Sequence, residues 1–144
     1  DPRKIAAGRR AAQRAGLATV IDLRCADARD LPPVQGDVAL LDVLHYLPLA
    51  SQVDLLRQAA RHLAPQGRLI IRNVLREGNW RFHATRVEEF LLQASGWIPG
   101  GAQHYPDAGE LRKTLEAAGL QVRIQALRGC TPFNSYLIVA RHAR

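Results

Sequence analysis

The sequence predicts an α/β fold, its sheet mostly parallel and closed by an antiparallel β-hairpin at the C-terminal end. Three observations carry this expectation. Short runs rich in Val, Leu and Ile alternate with stretches whose apolar residues recur at helical spacing. The runs at Val38–Leu44 and Arg68–Val74 are separated by a helix-length segment, which a parallel pair requires. The last two runs are joined by a short loop, which suits a hairpin.

Asp1 is a good helix N-cap with Pro2 at the first helical position, and Gly16 is placed to end the helix that follows. Between them, Lys4 to Ala15 is rich in alanine and arginine, both strong helix formers. Thr19–Cys25 alternates Ile21, Leu23 and Cys25 with Asp22 and Arg24, a pattern that predicts a strand buried on one face. Two prolines and a glycine make Arg29 to Gly36 a loop. Val38 to Leu44 is almost wholly apolar apart from Asp42, as a strand covered on both faces would be. Val53, Leu56, Ala60 and Leu63 then trace one face of a helix over Leu49 to Leu63. Ala64-Pro65-Gln66-Gly67 stops it, and Arg68–Val74 is the next strand.

A longer polar stretch runs from Arg76 to Tyr105, with helical character at Val87 to Leu92 and loop signals at Gly96, Pro99, Gly100 and Gly101. Asp107 followed by Glu110 is a capping-box pattern, predicting a helix from there to Ala118 that Gly119 ends. Val122, Ile124 and Ala126 alternate, Arg128–Phe133 turns, and Ser135–Ala140 is the last strand.

Composition narrows the class. With 144 residues, 47% hydrophobic and 23% charged, the chain is an ordinary globular length and neither disordered nor fibrous. No apolar run is long enough for a membrane span. Two distant cysteines, Cys25 and Cys130, without a C-x-x-C pair, argue against a disulfide scaffold and fit a reducing, cytoplasmic setting. The five histidines show no metal-ligand spacing, so no metal is expected. A net charge of +7 permits a nucleic-acid partner, but the arginines are scattered rather than blocked. Oligomeric state is not encoded in any pattern found. There is no methionine, even at position 1, so Asp1 is expected not to be a translational start.

In an open parallel sheet, ligands bind beyond the carboxyl ends of the strands. After Thr19–Cys25 come Ala26-Asp27-Ala28-Arg29-Asp30, where an acid can accept hydrogen bonds from a ligand or simply cap a turn. After the next strand come Asp42-Val43-Leu44-His45-Tyr46. An acid in an apolar strand end is costly to bury unless paired, and His45 beside it is either a general base or a hydrogen-bonded core histidine. Tyr46 either donates to a substrate or packs beneath the following helix. Arg72 and Asn73 close the third strand, and an arginine there can meet a carboxylate or phosphate.

Several of these segments together resemble the class I S-adenosylmethionine-dependent methyltransferases. Ala26-Asp27-Ala28 followed by Asp30-Leu31-Pro32 is similar to that family's adenine-contacting loop. Asp42–Leu47 resembles its fourth-strand end, and Leu63-Ala64-Pro65-Gln66-Gly67-Arg68-Leu69 its L-x-P-G-G-R-L turn, with Gln66 in place of the first glycine. Asn134–Ala140 resembles its closing strand.

The resemblance implies a three-layer Rossmann-like sheet and S-adenosyl-L-methionine as cofactor, contacted by Asp27, Ala28, Asp42, Val43 and, more weakly, Asp1. It implies a small-molecule acceptor methylated on oxygen or carbon, with His45 as catalytic residue and Tyr46, Arg72 and Asn73 as substrate contacts. Residues 76–106, with Trp80, Phe82, His83, Phe90 and Trp97, would form a substrate lid on a single domain spanning 1–144. The family's G-x-G-x-G loop has no counterpart in this sequence. The alignment puts that loop and the first two strands ahead of Asp1, so the 144-residue piece alone is expected to bind cofactor poorly. Two other readings remain open. One is a basic nucleic-acid-binding or RNA-modifying module, and the other a dinucleotide-dependent oxidoreductase, whose own glycine fingerprint is equally absent.

Overall fold

Asp1 caps the first helix as its sequence predicts, its carboxylate accepting the Arg3 N–H at 2.9 Å, and α1 runs over Pro2–Arg14. The computed structural model describes residues 1–30, 32, 35–96, 101–127 and 129–143. They fall into two compact units, residues 1–30 and 31–144.

In the first unit, α1 passes close over Leu23. The Arg9 guanidinium donates to the Leu23 carbonyl at 2.6 and 2.9 Å, and a Cβ at Gly8 would lie 2.8 Å from the Leu23 side chain. Thr19–Cys25 is not a strand. Residues 18–20 turn and residues 21–27 run irregularly, with Ile21 and Cys25 exposed. Alternation alone does not make a strand; a ladder partner is needed, and among the described residues this segment has none.

The second unit holds the sheet. Val38–Leu41 forms β1, shorter than its apolar run, because the chain leaves the sheet at Asp42 with φ 55°. A 3₁₀ turn at Leu44–Tyr46 leads to α2 (Leu49–Arg61), then β2 (Arg68–Val74), α3 (Trp80–Ala94), α4 (Ala108–Ala117), β3 (Leu120–Ala126) and β4 (Ser135–His142). The Asp107–Glu110 capping box is formed in full. α3 is much longer than Val87–Leu92. Asn79 starts it by accepting the Phe82 N–H at 2.9 Å, and only Phe82 and Thr85 are fully buried along it, so its apolar periodicity is weak. Leu31, Pro33, Trp97, Pro99, Gly100 and Arg128, which fall in segments interpreted from the sequence, lie outside the described residues.

Strand order is β1-β2-β4-β3. The sheet is α/β and mixed, but not mostly parallel: β1–β2 is parallel, whereas β2–β4 and β4–β3 are antiparallel. The expectation failed for two physical reasons. Thr19–Cys25 adds no strand, and β4 inserts between β2 and β3, so the predicted hairpin supplies two antiparallel ladders instead of one.

One face of the sheet presents Leu40, Leu69, Ile71, Tyr136, Ile138 and Ala140, and α2 and α4 cover it with Leu55, Leu56, Ala59, Leu111 and Leu115. Each fully buried leucine contributes on the order of 1.5–3 kcal/mol. Gly67 is obligatory in the turn before β2, since a Cβ there would sit 2.7 Å from the Gly36 carbonyl and 2.9 Å from the Ala64 nitrogen. No helix among the described residues is long and apolar enough to cross a membrane.

Candidate active site

Asp42 is the one described non-glycine residue with positive φ, a conformation that Asp tolerates better than most side chains. Its N–H still bonds the Arg72 carbonyl at 2.8 Å, so β1 and β2 stay paired as the chain turns. The turn drives the next residues inward. Leu44 is fully buried in the core, and His45 follows it with only 2% exposure.

His45 is held on both ring nitrogens. Nδ1 lies 3.0 Å from Asn73 Oδ1, and Nε2 lies 3.2 Å from Glu89 Oε1 on α3. The Tyr105 hydroxyl donates to the other carboxylate oxygen of Glu89, and the Tyr105 ring lies parallel to the imidazole at 6.0 Å between centroids. Tyr46 packs against the same imidazole at 4.1 Å, and Phe82 meets Tyr105 edge-on at 5.0 Å. The His45 carbonyl accepts the N–H groups of Gln103 and His104, and buried Gln52 of α2 ties Leu47 to His104 by donating to both carbonyls. The turn after β1 and the loop before α4 are thereby locked together around the pair.

Burial by itself disfavours a charged His45, but the hydrogen bonds to Glu89 and Asn73 outweigh it and raise the histidine's pKa. Burial likewise pushes Glu89 up, and the hydrogen bonds from His45 and Tyr105 more than reverse it, so its carboxyl titrates below its usual range. Tyr105 is pushed well above an ordinary tyrosine, first by burial and then by its bond to Glu89. Tyr46 is raised as well, by burial and then by the Glu89 charge.

Beside this pair lies a cavity of about 180 Å³ walled by Tyr46, Arg86, Glu89, Phe90, Ala102 and Tyr105. That is room for about one aromatic ring, given that a cavity of roughly 150 Å³ accepts benzene. A second groove of about 210 Å³ runs between α2 and α4, lined by Leu49, Val53, Leu56 and Leu111. Its polar rim includes Lys113 and Glu110, and Glu110 faces His104 Nε2 at 3.6 Å.

The sequence-predicted residues separate into groups. His45 and Tyr46 are together at the cavity, although His45 sits behind the wall and Tyr46 forms part of it. Asn73 is fully buried and reaches no cavity; it holds His45 and donates to the Val74 carbonyl. Adjacent strand residues point to opposite faces, so Arg72 lies on the other side of β2, where it pairs with Asp42 at 3.5 Å. Val43 is half-buried against the core. Asp27 and Ala28 belong to the first unit; Arg29 clamps Asp27 through its guanidinium and its backbone N–H, holding the carboxyl far below the usual range. Asp1 is committed to the α1 cap.

Sequence reasoning missed Glu89, Tyr105 and Gln52. A signal existed for two of them. Gln52 is a polar residue on the apolar stripe of α2, and Glu88-Glu89 are the only acids between Trp80 and Tyr105.

A family model described as a methyltransferase domain matches residues 1–71. The match covers just under half of the chain. Solved structures agree on its fold. The chain superposes on the mitomycin 7-O-methyltransferase MmcR with a TM-score of 0.73 at 24% identity, covering 99% of this chain and 40% of that one. Against the O-methyltransferase NcsB1 from neocarzinostatin biosynthesis, solved with S-adenosyl-L-homocysteine and 1,4-dihydroxy-2-naphthoic acid, the TM-score is 0.65 at 20% identity, covering 96% and 39%. Against an O-methyltransferase family 2 protein from Planctomyces limnophilus, solved with apigenin, it is 0.67 at 20% identity, covering 94% and 39%. The chain thus spans about 40% of the length of the solved structures it matches. No curated protein matches its sequence. Asn73, Glu89 and Tyr105 lie beyond the residues matched by the family model, so the pairing around His45 is a finding of this structure.

Proposed function

We propose that the protein transfers a methyl group from S-adenosyl-L-methionine to a hydroxyl oxygen of a small aromatic acceptor seated against Tyr46, Glu89 and Tyr105. The observation that carries this reading is the buried His45–Glu89 pair at the wall of a ring-sized aromatic cavity, on a methyltransferase domain. Oxygen is favoured over carbon because the pair is suited to a hydroxyl proton, which must leave when oxygen is methylated.

The residues present fit the cofactor by donor chemistry. Asp27 Oδ2 accepts a single bond from Arg29, leaving an acceptor position for an exocyclic amine. Asp42 presents a half-exposed carboxylate at the carboxyl end of β1, suited to the ligand's hydroxyl or ammonium groups, with the Val43 backbone beside it. Asp27 and Ala28 would be the first unit's contacts to the cofactor, and Asp42 and Val43 the second unit's. Asp1 is the weakest contact, because it serves α1. When bound, this cofactor supplies an electrophilic methyl on a sulfonium. The chain's own residues stack the acceptor ring, aim its hydroxyl and keep water from the pair, and such positioning accounts for much of the acceleration in a group transfer. Residues 1–144 act in this reading as one domain, with 76–106 as its acceptor-side cover.

The complete protein is titrated calorimetrically with S-adenosyl-L-homocysteine, then incubated with methyl-labelled S-adenosylmethionine and 1,4-dihydroxy-2-naphthoic acid. Binding of the first and an O-methyl product from the second are expected. Absence of S-adenosyl-L-homocysteine binding overturns the proposal.

A further inference from the structure

We propose that Glu89, and not His45, receives the acceptor's hydroxyl proton, with His45 held behind it as an imidazolium. The inference rests on the methyl-transfer reading above and assigns the proton within it.

The argument is an inventory of hydrogens. Asn73 Nδ2 donates to the Val74 carbonyl at 2.8 Å, which fixes the orientation of the amide. Asn73 Oδ1, an acceptor only, therefore faces His45 Nδ1 at 3.0 Å, so Nδ1 carries a hydrogen. At the other side, Nε2 faces Glu89 Oε1 at 3.2 Å. A bare Nε2 facing an ionised carboxylate would set two acceptors against each other, so a proton lies between them. The Tyr105 hydroxyl cannot provide it, because its hydrogen is directed at the other carboxylate oxygen. The pair thus holds one proton more than a neutral imidazole with a free carboxylate.

Two consequences follow. Nε2 has no lone pair to offer an incoming hydroxyl, and the imidazole is 2% exposed and forms no part of the cavity wall. Glu89 does form part of that wall, and each carboxylate oxygen keeps a second lone pair. The charged and titratable groups around the pair are Asp42 from the β1 end, Tyr46 from the 3₁₀ turn, Glu88 and Arg86 from α3, and Tyr105 from the loop before α4. The carboxylates of Asp42 and Glu89 favour the imidazolium.

The step balances. The acceptor oxygen bonds to the methyl carbon as that carbon's bond to sulfur breaks, its electron pair remaining on sulfur. The hydroxyl proton passes to the Glu89 carboxylate. A carboxylate held below its usual range is a weak base toward a resting phenol. It is strong enough once the oxygen–carbon bond is forming, because the hydroxyl then acquires the acidity of a protonated ether.

Nitrogen-15 spectra of the imidazole rings test this without turnover, with the His45 signals assigned by their loss in His45→Gln. In the complete protein at pH 6.0 both ring nitrogens of His45 are expected to be protonated. In Glu89→Gln, Nε2 is expected to lose its proton and the His45 pKa to fall by at least one unit. Glu89→Asp keeps the carboxylate and is expected to keep the imidazolium, which separates charge loss from misfolding. Glu89→Gln is further expected to lower kcat toward 1,4-dihydroxy-2-naphthoic acid about 10²–10⁴-fold with little change in KM. A bare Nε2 in the wild-type spectrum overturns the assignment, as does a Glu89→Gln enzyme with unchanged kcat. Failure of S-adenosyl-L-homocysteine to bind brings down the methyl-transfer reading instead, and the spectra, which need no cofactor, tell the two failures apart.

Discussion

Asn73 Oδ1 lies 3.0 Å from His45 Nδ1, both residues essentially without solvent contact, and this bond fixes Nε2 as the imidazole nitrogen that faces Glu89. Asn73 sits on β2 and His45 in the turn after β1, so the parallel β1–β2 register positions the bond. Asn73→Ala is expected to leave a buried N–H unpaired, at a cost of about 1–3 kcal/mol. Urea denaturation of the variant against wild type measures it; a loss below about 0.5 kcal/mol would show that the bond is of little consequence for stability.

Tyr105 contributes a hydroxyl to Glu89 and a ring beside His45. Tyr105→Phe keeps the ring and removes the bond. The Glu89 pKa is expected to rise, since one of the two hydrogen bonds that lower it is gone, while thermal stability changes by at most about 1.5 kcal/mol. Carbon-13 NMR titration of the Glu89 carboxyl reads the shift directly.

Asp42 has positive φ at the end of β1, beside an exposed ion pair with Arg72. An exposed pair of this kind contributes at most about 1 kcal/mol. Asp42→Gly relaxes the backbone and deletes the carboxylate. Stability is expected to stay within about 1 kcal/mol of wild type while affinity for S-adenosyl-L-homocysteine falls at least several-fold, the pattern of a position strained for function rather than for folding. Equal affinities in calorimetry would remove Asp42 from the cofactor site.

The His45–Glu89 pair also predicts a pH window. His45 has a pKa raised above its ordinary 6.5, so its contribution is complete below 6.5 and is lost as pH rises through the folded value. Glu89 is lowered from its ordinary 4.5, so its contribution is complete above 4.5 and is lost as pH falls through the folded value. The stability difference between wild type and Glu89→Gln is therefore expected to be largest between 4.5 and 6.5 and to shrink on either side. A difference that is flat with pH would contradict the ion pair.

Local chemistry made much of the fold legible. The Asp107–Glu110 capping box, the Asp1–Pro2 helix start and the β2 run are all settled by residues within a few positions of one another. What failed needed distant partners. Thr19–Cys25 alternates like a strand but has no ladder to join, and α3 is specified more by its Asn79 cap and by Phe82 than by a continuous apolar stripe. The site divides in the same way. His45 and Tyr46 could be found because they follow an apolar strand end. Glu89 and Tyr105 meet His45 only through the packing of α3 and the following loop, and no spacing rule connects them.

The most direct test of the account is a structure of the complete protein with S-adenosyl-L-homocysteine and 1,4-dihydroxy-2-naphthoic acid. The account predicts an acceptor ring between Tyr46 and Tyr105, with a hydroxyl within hydrogen-bond reach of the Glu89 carboxylate and His45 still bonded to Asn73 and Glu89. A hydroxyl bonded instead to His45 Nε2, with Glu89 swung away, would contradict it.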